Sequence, residues 1–381
     1  MSTPHVDKRR SSRDGAGTSA MGASADRPVR RVAILYSRLA AYTVACLRAL
    51  RDEHDVELLF YQYPPADEAP YDPELFSGLG TVLNRNQHDE GDMLARLRAF
   101  DPDAMYIVGW MDRGYLSVAR TMRDDGVPVI AGCDRQWSGT WRQRLGQLVA
   151  PWYLHSAIDV LWVPGERQRQ LAWRLGYRGA QCWSGVYCCD WARFAGARQP
   201  VSEREKTFLY VGRYVDVKGL DVLVEAYQSY RNAVDAPWTL TCVGTGPESD
   251  RLAGVPGIED RGFVQPDALP AIMGHAAAFV LPSRHEPWGV VVQEAAAAGL
   301  PLLCSDACGA AVHLLQDRYN GFLVETGNAD HLTAAMAQLT ALDEATRQSM
   351  GQRSHTLSKP FTPVRWAETL VRGIQQMHAN P

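Results

Sequence analysis

The sequence predicts an α/β protein with two doubly wound parallel sheets that face a central cleft. Short apolar runs alternate with amphipathic segments along most of the chain, a rhythm typical of parallel strands covered by helices on both faces. The 381 residues are enough for two separate cores. A Pro- and Arg-containing segment at 190–206 interrupts the rhythm, so we predict that it links the two domains.

The first domain is predicted over residues 32–189. Residues 1–31 hold seven basic and three acidic side chains and no apolar run, so we expect a disordered basic tail and no secretory signal. Within the domain, apolar runs predict five strands and the segments between them predict five helices. The strands are expected at 32–35, 56–60, 104–108, 128–131 and 160–163, and the helices near 40–51, 90–99, 113–124, 141–154 and 166–175.

The second domain is predicted over residues 207–358. Strand–helix pairs continue to about residue 340, and a further helix is expected near 343–356. A break with two prolines then separates this domain from a final amphipathic helix at 364–378.

Composition excludes several classes of function. A net charge of −4 argues against nucleic acid as a partner. No stretch approaches the roughly twenty apolar residues that span a bilayer. The eight cysteines are scattered without a CxxC pair, which argues against a zinc site or a disulfide framework. We therefore expect a cytoplasmic protein, with at most peripheral contact between its basic tail and the inner face of a membrane.

The most informative segment runs from Ser283 to Glu294. Glu286 follows a buried strand, and Glu294 lies about one and a half turns into the next helix, so both should face the crevice at the carboxyl end of the sheet. Between them, the amides of Gly289, Val290 and Val291 form a helix N-terminus that can bind phosphate. A ligand with hydroxyls at both ends and a diphosphate between them, such as a nucleotide-sugar, fits this arrangement. Alternatively, both glutamates are merely solvated, or Glu294 caps its own helix.

A second strand–turn–helix carries two cations. Gly212, Arg213 and Lys218 follow the strand that begins at residue 207, and we place the cations on the first residues of the next helix. A guanidinium and an ammonium in one crevice would neutralise a diphosphate as its bond to a sugar breaks. The alternative is an exposed helix start with two solvated cations.

These motifs resemble the retaining glycosyltransferases of family four, the glycosyl transferase group 1 family, which have the GT-B fold. The resemblance covers about residues 160–375. It includes the motifs above and further short matches at 243–247, 262–264, 298–301, 306–309 and 320–322. The resemblance implies that residues 359–381 cross back onto the first domain.

The resemblance also implies a role for each donor-side residue. Arg213 and Lys218 would bind the donor diphosphate and Glu286 the sugar hydroxyls, so these three would serve catalysis. Glu294 would bind the ribose. Donor binding would further involve Gly212, Gly244, Phe263, Val264, Gly289, Val290 and Val291, with Phe263 and Val264 near the nucleobase.

The implied reaction moves a sugar from a UDP- or GDP-linked donor to an acceptor hydroxyl, with retention of configuration and with no metal or cofactor. The acceptor would be a saccharide, a lipid-linked sugar or a small molecule. Two alternatives stay open, a nucleotide-sugar epimerase on a similar scaffold and a catalytically silent module that binds nucleotide-sugars.

The acceptor side is less specified, because two family features are missing. The family often has a glycine-rich loop after the first strand, where this chain has Tyr36–Tyr42. It also often has a histidine after the third or fourth strand, where this chain has Trp110 and Asp112. We predict that Trp110 or Asp112 lines the acceptor site, with an ordinary surface loop as the alternative.

Two further features have plain structural explanations. Asp101-Pro-Asp103 matches a metal-binding DxD pattern but lies between a helix and a strand, where we expect a turn. Trp137, Trp141 and Trp152 lie near arginines in the first domain. We expect them to pack in a core or interface, with sugar stacking or a membrane-facing stripe as alternatives.

Overall fold

A computed structural model describes residues 28–64 and 71–380. The predicted tail at 1–31 therefore lies, except for its last four residues, outside the described part of the chain.

The first sheet contains seven described strands, all parallel, in the order β3-β2-β1-β4-β5-β6-β7. Their bounds are Arg31–Leu35 (β1), Glu57–Gln62 (β2), Thr81–Asn84 (β3), Ala104–Ile107 (β4), Val129–Gly132 (β5), Val160–Val163 (β6) and Cys182–Ser184 (β7). The five buried strands were predicted. The two edge strands, β3 and β7, were missed because they are short and lack fully buried residues.

Helices cover both faces of this sheet. They are Ala41–His54 (α1), Glu90–Phe100 (α2), Arg113–Asp124 (α3), Trp141–Tyr153 (α4) and Glu166–Arg174 (α5). A short helix, Trp191–Gly196 (α6), lies inside the segment predicted to be an irregular linker. Six residues are too few to show a helical period, but the buried Phe194 ties α6 to the second core.

The second sheet contains six described parallel strands, in the order β10-β9-β8-β11-β12-β13. Their bounds are Glu205–Val211 (β8), Thr239–Val243 (β9), Ile258–Asp260 (β10), Ala276–Leu281 (β11), Leu302–Ser305 (β12) and Gly321–Val324 (β13). The helices are Leu220–Ala233 (α7), Leu269–His275 (α8), Val290–Ala297 (α9), Ala311–Leu314 (α10), Ala329–Ala341 (α11) and Glu344–Ser358 (α12).

The last helix, Pro363–Ala379 (α13), packs on the first sheet's core beside α1. The Trp366 ring stacks on Trp162 with ring centroids 4.9 Å apart, and its indole Nε1 donates to the Val186 carbonyl at 2.9 Å. Thr362 caps the helix and Pro363 occupies its first turn, where proline costs no hydrogen bond. The domain limits themselves stay a prediction.

The tryptophans near the arginines of the first domain differ in their surroundings. Trp137 is half-buried against the first core. Trp141 and Trp152, both on α4, are 69% and 76% exposed. The expectation that these two pack in a core is therefore wrong. Ala150 is the buried residue of α4, so the helix packs against the domain over a small area.

Strand order determines where a ligand can bind. The order reverses between β1 and β4 in the first sheet and between β8 and β11 in the second. In parallel sheets, a crevice opens outside the carboxyl ends of the strands at such a point. The loops after β1, β8 and β11 therefore lead into crevices, and these loops include the motifs singled out in the sequence.

Candidate active site

A cleft of about 620 Å³ lies between the two sheets. Every residue predicted for the donor side lines it. They are Gly212, Arg213, Lys218, Gly244, Phe263, Val264, Glu286, Gly289, Val290, Val291 and Glu294.

An ion pair between Lys218 and Glu286 forms part of the cleft wall. Lys218 ends a single 3₁₀ turn, and the Glu286 carbonyl accepts from the amide of Gly309 at 2.9 Å, so both residues have fixed backbones. The two side chains are 15% and 9% exposed. A pair so far removed from water keeps its geometry better than a surface pair does.

The cations occupy a loop and not the helix predicted for them. β8 ends at Val211 and α7 begins at Leu220, so both Arg213 and Lys218 precede the helix. Arg213 is exposed at the cleft, and its carbonyl accepts from the Tyr210 hydroxyl at 3.1 Å. The exposed guanidinium is thus within reach of an anionic ligand.

Gly289 shapes the turn that leads into α9. Its φ of 92° is one that residues with a side chain rarely adopt. A Cβ there would lie 3.1 Å from Cγ of Glu286 and 3.3 Å from Sγ of Cys308. The tight turn places the first amides of α9, at Val290 and Val291, on the cleft, where the helix dipole favours an anion.

Glu294 lies one turn further along α9 and also reaches the cleft. The residue is half-buried. Burial, and to a smaller degree the charge of Asp190, raise its pKa to about 8. Near neutral pH this side chain is therefore largely a protonated acid that can donate as well as accept a hydrogen bond.

Aromatic rings close one end of the cleft. Phe263 and Val264 are half-buried, and the ring of Tyr71, from the first domain, meets Phe263 edge to face with centroids 6.0 Å apart. Burial, and secondarily the charge of Glu294, raise the pKa of the Tyr71 phenol. The two domains thus enclose an apolar slot that can accept a planar ring.

The first domain contributes further lining residues that the sequence did not single out. Asp134 follows β5, and its Oδ2 accepts from the Tyr187 hydroxyl at 3.3 Å. Tyr187 in turn meets the Tyr42 ring edge to face, with centroids 5.6 Å apart. Burial raises the pKa of both phenols, so both are neutral. Ala41 and Tyr42 reach the cleft although the loop before them lacks the family's glycines.

Trp110 and Asp112, predicted on the acceptor side, do not line this cleft. Asp112 caps α3, since its Oδ1 accepts from the amides of Gly114 at 2.8 Å and Tyr115 at 3.1 Å. Its other oxygen accepts from the Tyr63 hydroxyl at 2.5 Å. Trp110 packs against the first core. Among the first-domain residues that line the cleft, the acidic one is Asp134, which follows the neighbouring strand, β5.

Direct contacts between the domains hold the Glu286 loop. Gln136 donates from Nε2 to the Pro287 carbonyl at 3.0 Å, and Gln168 donates to the same oxygen. Trp288 is 2% exposed and packs beside Gly165. A Cβ on Gly165 would lie 2.6 Å from the Trp288 ring. The position of this loop therefore depends on the first domain.

The Asp101–Asp103 segment is the turn predicted for it. Asp101 ends α2 in a left-handed conformation, and Asp103 accepts from the amides of Arg30 and Arg31 at 2.7 and 3.0 Å. Across residues 28–64 and 71–380, no three His, Cys, Asp or Glu side chains cluster in a way that could hold a metal ion. Nor does this part of the chain contain a helix both long and apolar enough to cross a membrane.

The chain is similar to known glycosyltransferases. A mannosyltransferase from Mycobacterium tuberculosis, named as GDP-mannose-dependent and acting on phosphatidylinositol monomannoside, is 34% identical over 147 residues, 35% of this chain and 38% of that protein. The chain spans about half the length of the curated relatives that it matches, 38% to 55% for four of them.

Solved structures match over nearly the whole chain. Sucrose-phosphate synthase from Thermosynechococcus elongatus superimposes with a TM-score of 0.70 at 17% identity, over 92% of this chain and all of that one. HepE from Anabaena, solved with UDP and glucose, gives a TM-score of 0.67 at 14% identity, over 90% of this chain and 98% of the other. At such identities, the likeness establishes the fold alone.

Residues 196–356 match the family model described as glycosyl transferases group 1. This match spans β8 to β13 and includes every donor-side residue named above. The carboxyl-terminal part of the chain is therefore similar to the glycosyl transferase group 1 family, and the two facing parallel sheets have the GT-B fold.

Proposed function

We propose that the protein is a glycosyltransferase that moves a sugar from a nucleoside diphosphate sugar to an acceptor hydroxyl with retention of configuration. The observation that carries the proposal is the arrangement along one cleft of the Lys218–Glu286 pair, the N-terminus of α9 and Glu294. The carboxyls of Glu286 and Glu294, which can bind hydroxyls, thus lie on either side of a site suited to a diphosphate. A nucleoside diphosphate sugar has its groups in the same order, with sugar hydroxyls at one end, the diphosphate in the middle and ribose hydroxyls at the other end.

Each part of the donor has a candidate partner. Arg213, Lys218 and the first amides of α9 would bind the diphosphate. Glu286 would bind sugar hydroxyls while it also orients Lys218. Glu294 would bind the ribose, and the slot beside Phe263 would take the nucleobase. The relatives named above use or bind GDP-mannose and UDP, so we propose a UDP- or GDP-linked donor.

The chemistry follows from the charges in the cleft. As the bond between the sugar C1 and the phosphate oxygen breaks, negative charge builds on the diphosphate and is stabilised by Arg213 and Lys218. A phosphate oxygen on the same face would take the proton of the acceptor hydroxyl, whose oxygen then bonds to C1. The two cations and the helix terminus supply the positive charge, so we propose that transfer needs no metal.

The acceptor would enter from the first-domain side. Asp134 and Tyr187 offer polar atoms there, and Tyr42 offers an aromatic face. This lining suits a saccharide, a lipid-linked sugar or a small molecule. Seven of the eight thiols are buried and all are unpaired, which supports our proposal that the protein works in the reducing cytoplasm.

Product analysis tests the proposed function. A panel of nucleotide-sugars is first screened for thermal stabilisation, since a ligand at a hundred times its Kd adds about 2.7 kcal/mol to stability. The stabilising donor is then incubated with candidate acceptors, and the anomeric configuration of the product is read by NMR. A product with the donor's configuration supports the proposal. An isomerised free nucleotide-sugar would indicate an epimerase, and binding without turnover would indicate a silent module.

A further inference from the structure

Helix α4 exposes an unusual amount of apolar surface. Its largest contributors are Leu148 and Trp152, which are 70% and 76% exposed, and Trp141, which is 69% exposed. Leu145, Val149 and Tyr153 on the same helix are 44% to 54% exposed. Large apolar side chains are commonly exposed singly, but a contiguous group of six indicates a surface with a partner.

The six side chains share one face of the helix. At 100° per residue, positions 141, 145, 148, 149, 152 and 153 fall within an arc of about 140°. The single buried residue, Ala150, lies outside this arc and attaches the helix to the domain. The apolar face therefore points away from the protein.

The charged side chains of the segment that contains this face have one sign. Between Asp134 and Asp159 the chain has no acidic residue and three arginines, at positions 135, 142 and 144. Arg142 lies over the Trp141 ring, 5.5 Å from its centroid. Tryptophan and tyrosine beside arginine on an amphipathic helix is the composition of segments that lie in the interface of an anionic bilayer.

A second copy of the chain fits this surface less well. In a twofold dimer through α4, the same positive face would meet itself, so Arg142 and Arg144 would approach their own copies without acidic partners. An anionic lipid surface instead complements the charge and accepts the aromatic rings.

The helix is also connected to the cleft. The loop from β5 to α4 carries Asp134 at the cleft and Gln136 against Pro287. Gln143, in the first turn of α4, donates from Nε2 to the Gln136 carbonyl at 2.7 Å. A surface bound to α4 would therefore lie next to the loop that carries Asp134 and Gln136.

We infer that α4 is a peripheral docking helix that binds a bilayer containing anionic phospholipid, with its tryptophans and leucines in the interface and its arginines at the phosphates. This inference does not depend on the proposed transfer reaction, because vesicle binding can be measured without any donor or acceptor. It places the cleft beside the membrane surface.

Flotation of the full chain with vesicles tests the inference. The wild-type protein should bind vesicles of phosphatidylglycerol and phosphatidylcholine at 0.1 M salt, and weakly or not at all vesicles of phosphatidylcholine alone. Leu148→Ser/Trp152→Ser should lower the partition coefficient on the order of a hundredfold, since two large side chains no longer enter the interface. The matched control, Tyr319→Ser/Val364→Ser, removes exposed apolar groups elsewhere and should bind as wild type.

A charge-reversal pair tests the electrostatic part. Arg142→Glu/Arg144→Glu should weaken binding about thirtyfold or more, and 0.5 M salt should weaken wild-type binding in the same direction. The control Arg318→Glu/Arg372→Glu changes net charge equally at exposed sites outside α4 and should have little effect. All four variants should unfold at the wild-type temperature.

Two outcomes would overturn the inference. The first is that the wild-type protein does not float with anionic vesicles at 0.1 M salt. This outcome includes the case in which light scattering instead shows a dimer in solution that the Leu148→Ser/Trp152→Ser variant does not form. The other is vesicle binding that survives both α4 variants, because another surface would then carry it. Neither outcome bears on whether the protein transfers sugar in solution.

Discussion

Lys218 and Glu286 form an ion pair in the wall of the cleft although 68 residues separate them in the chain. Each follows a different strand of the second sheet, β8 and β11, which lie side by side at the point where strand order reverses. The pair therefore depends on the folded domain. It fixes a cation where a diphosphate would bind and a carboxylate where a sugar would bind.

The first prediction separates the structural and catalytic roles of this pair. Lys218→Met leaves the carboxylate of Glu286 buried without its cation, so it should lower the free energy of unfolding by about 3 to 5 kcal/mol. It should also lower kcat by about 10² to 10³ by removing positive charge from the leaving diphosphate. Chemical denaturation and steady-state kinetics measure the two effects.

The double variant Lys218→Met/Glu286→Gln is the control. It removes both charges, so it should recover most of the lost stability but none of the lost turnover. If turnover returned together with stability, Lys218 would act only by supporting the fold, and the proposed diphosphate contact would be wrong.

The second prediction concerns Glu294, whose pKa is raised by burial to about 8 from an ordinary value of 4.5. A raised carboxyl pKa contributes stability that is fully present below pH 4.5 and is lost as pH rises through 8. Glu294→Gln stays neutral throughout. The melting temperature of Glu294→Gln minus that of the wild type should therefore increase from pH 5 to pH 9. A difference that does not change with pH would contradict the buried environment assigned to Glu294.

The same residue should make donor binding depend on pH. Ribose hydroxyls that donate to Glu294 favour its charged form, so binding should release a proton, and wild-type affinity for the nucleoside diphosphate should rise from pH 7 to pH 9. The terminal phosphate of the ligand titrates near pH 6 and contributes little in this window. Calorimetry on Glu294→Gln should show weaker binding, by roughly 1.5 to 3 kcal/mol, with little pH dependence.

The residues proposed to bind the donor could be placed together from the sequence because their geometry is local. Glu286, Gly289 and Glu294 lie within nine residues of one another, so a strand–turn–helix suffices to place them on one crevice. To place Arg213 and Lys218 in the same crevice, the only further assumption was that the two parallel strands before these motifs end at the same edge of one sheet. The error there was one of helix boundaries, since Lys218 ends a 3₁₀ turn before α7.

The first-domain lining of the cleft could not be predicted, because it depends on strand order and on the contact between the domains. Asp134 has no motif around it, and only the arrangement of β5 relative to the second domain brings it to the cleft. Asp112 is also a carboxylate, but its side chain caps α3. The exposure of Trp152 likewise depends on which parts of the chain cover α4, and the local sequence does not indicate this.

The third prediction tests Asp134 as an acceptor-binding group. Asp134→Asn keeps the shape and the contact with Tyr187 but removes the charge. It should raise the acceptor KM or lower kcat by at least tenfold while affinity for the nucleoside diphosphate stays within twofold, because the proposed donor contacts lie mainly in the second domain. Asp112→Asn is the comparison, and it should lower stability through the α3 cap with less effect on acceptor KM.

The fourth prediction is that transfer does not need a metal ion. The charge of the leaving diphosphate has candidate partners in Arg213, Lys218 and the N-terminus of α9. Activity measured after dialysis against EDTA should equal that of the untreated enzyme. Activity that EDTA abolishes and magnesium or manganese restores would show that a metal shares this role.

The last prediction concerns the contact between domains at Gly165. Its φ is ordinary for any residue, but a Cβ would lie 2.4 Å from Nε2 of His313 and 2.6 Å from the Trp288 ring, across the domain boundary. Gly165→Ala should therefore push the domains apart. Transfer should fall at least tenfold, because the proposed reaction uses acceptor-binding groups of one domain and donor-binding groups of the other, whereas calorimetric binding of the nucleoside diphosphate should change little. Gly196→Ala, where a Cβ meets nothing within 4 Å, is the matched control and should behave as wild type. Equal losses in transfer and in diphosphate binding would show that the Gly165 contact supports the donor site itself and not the approach of the two domains.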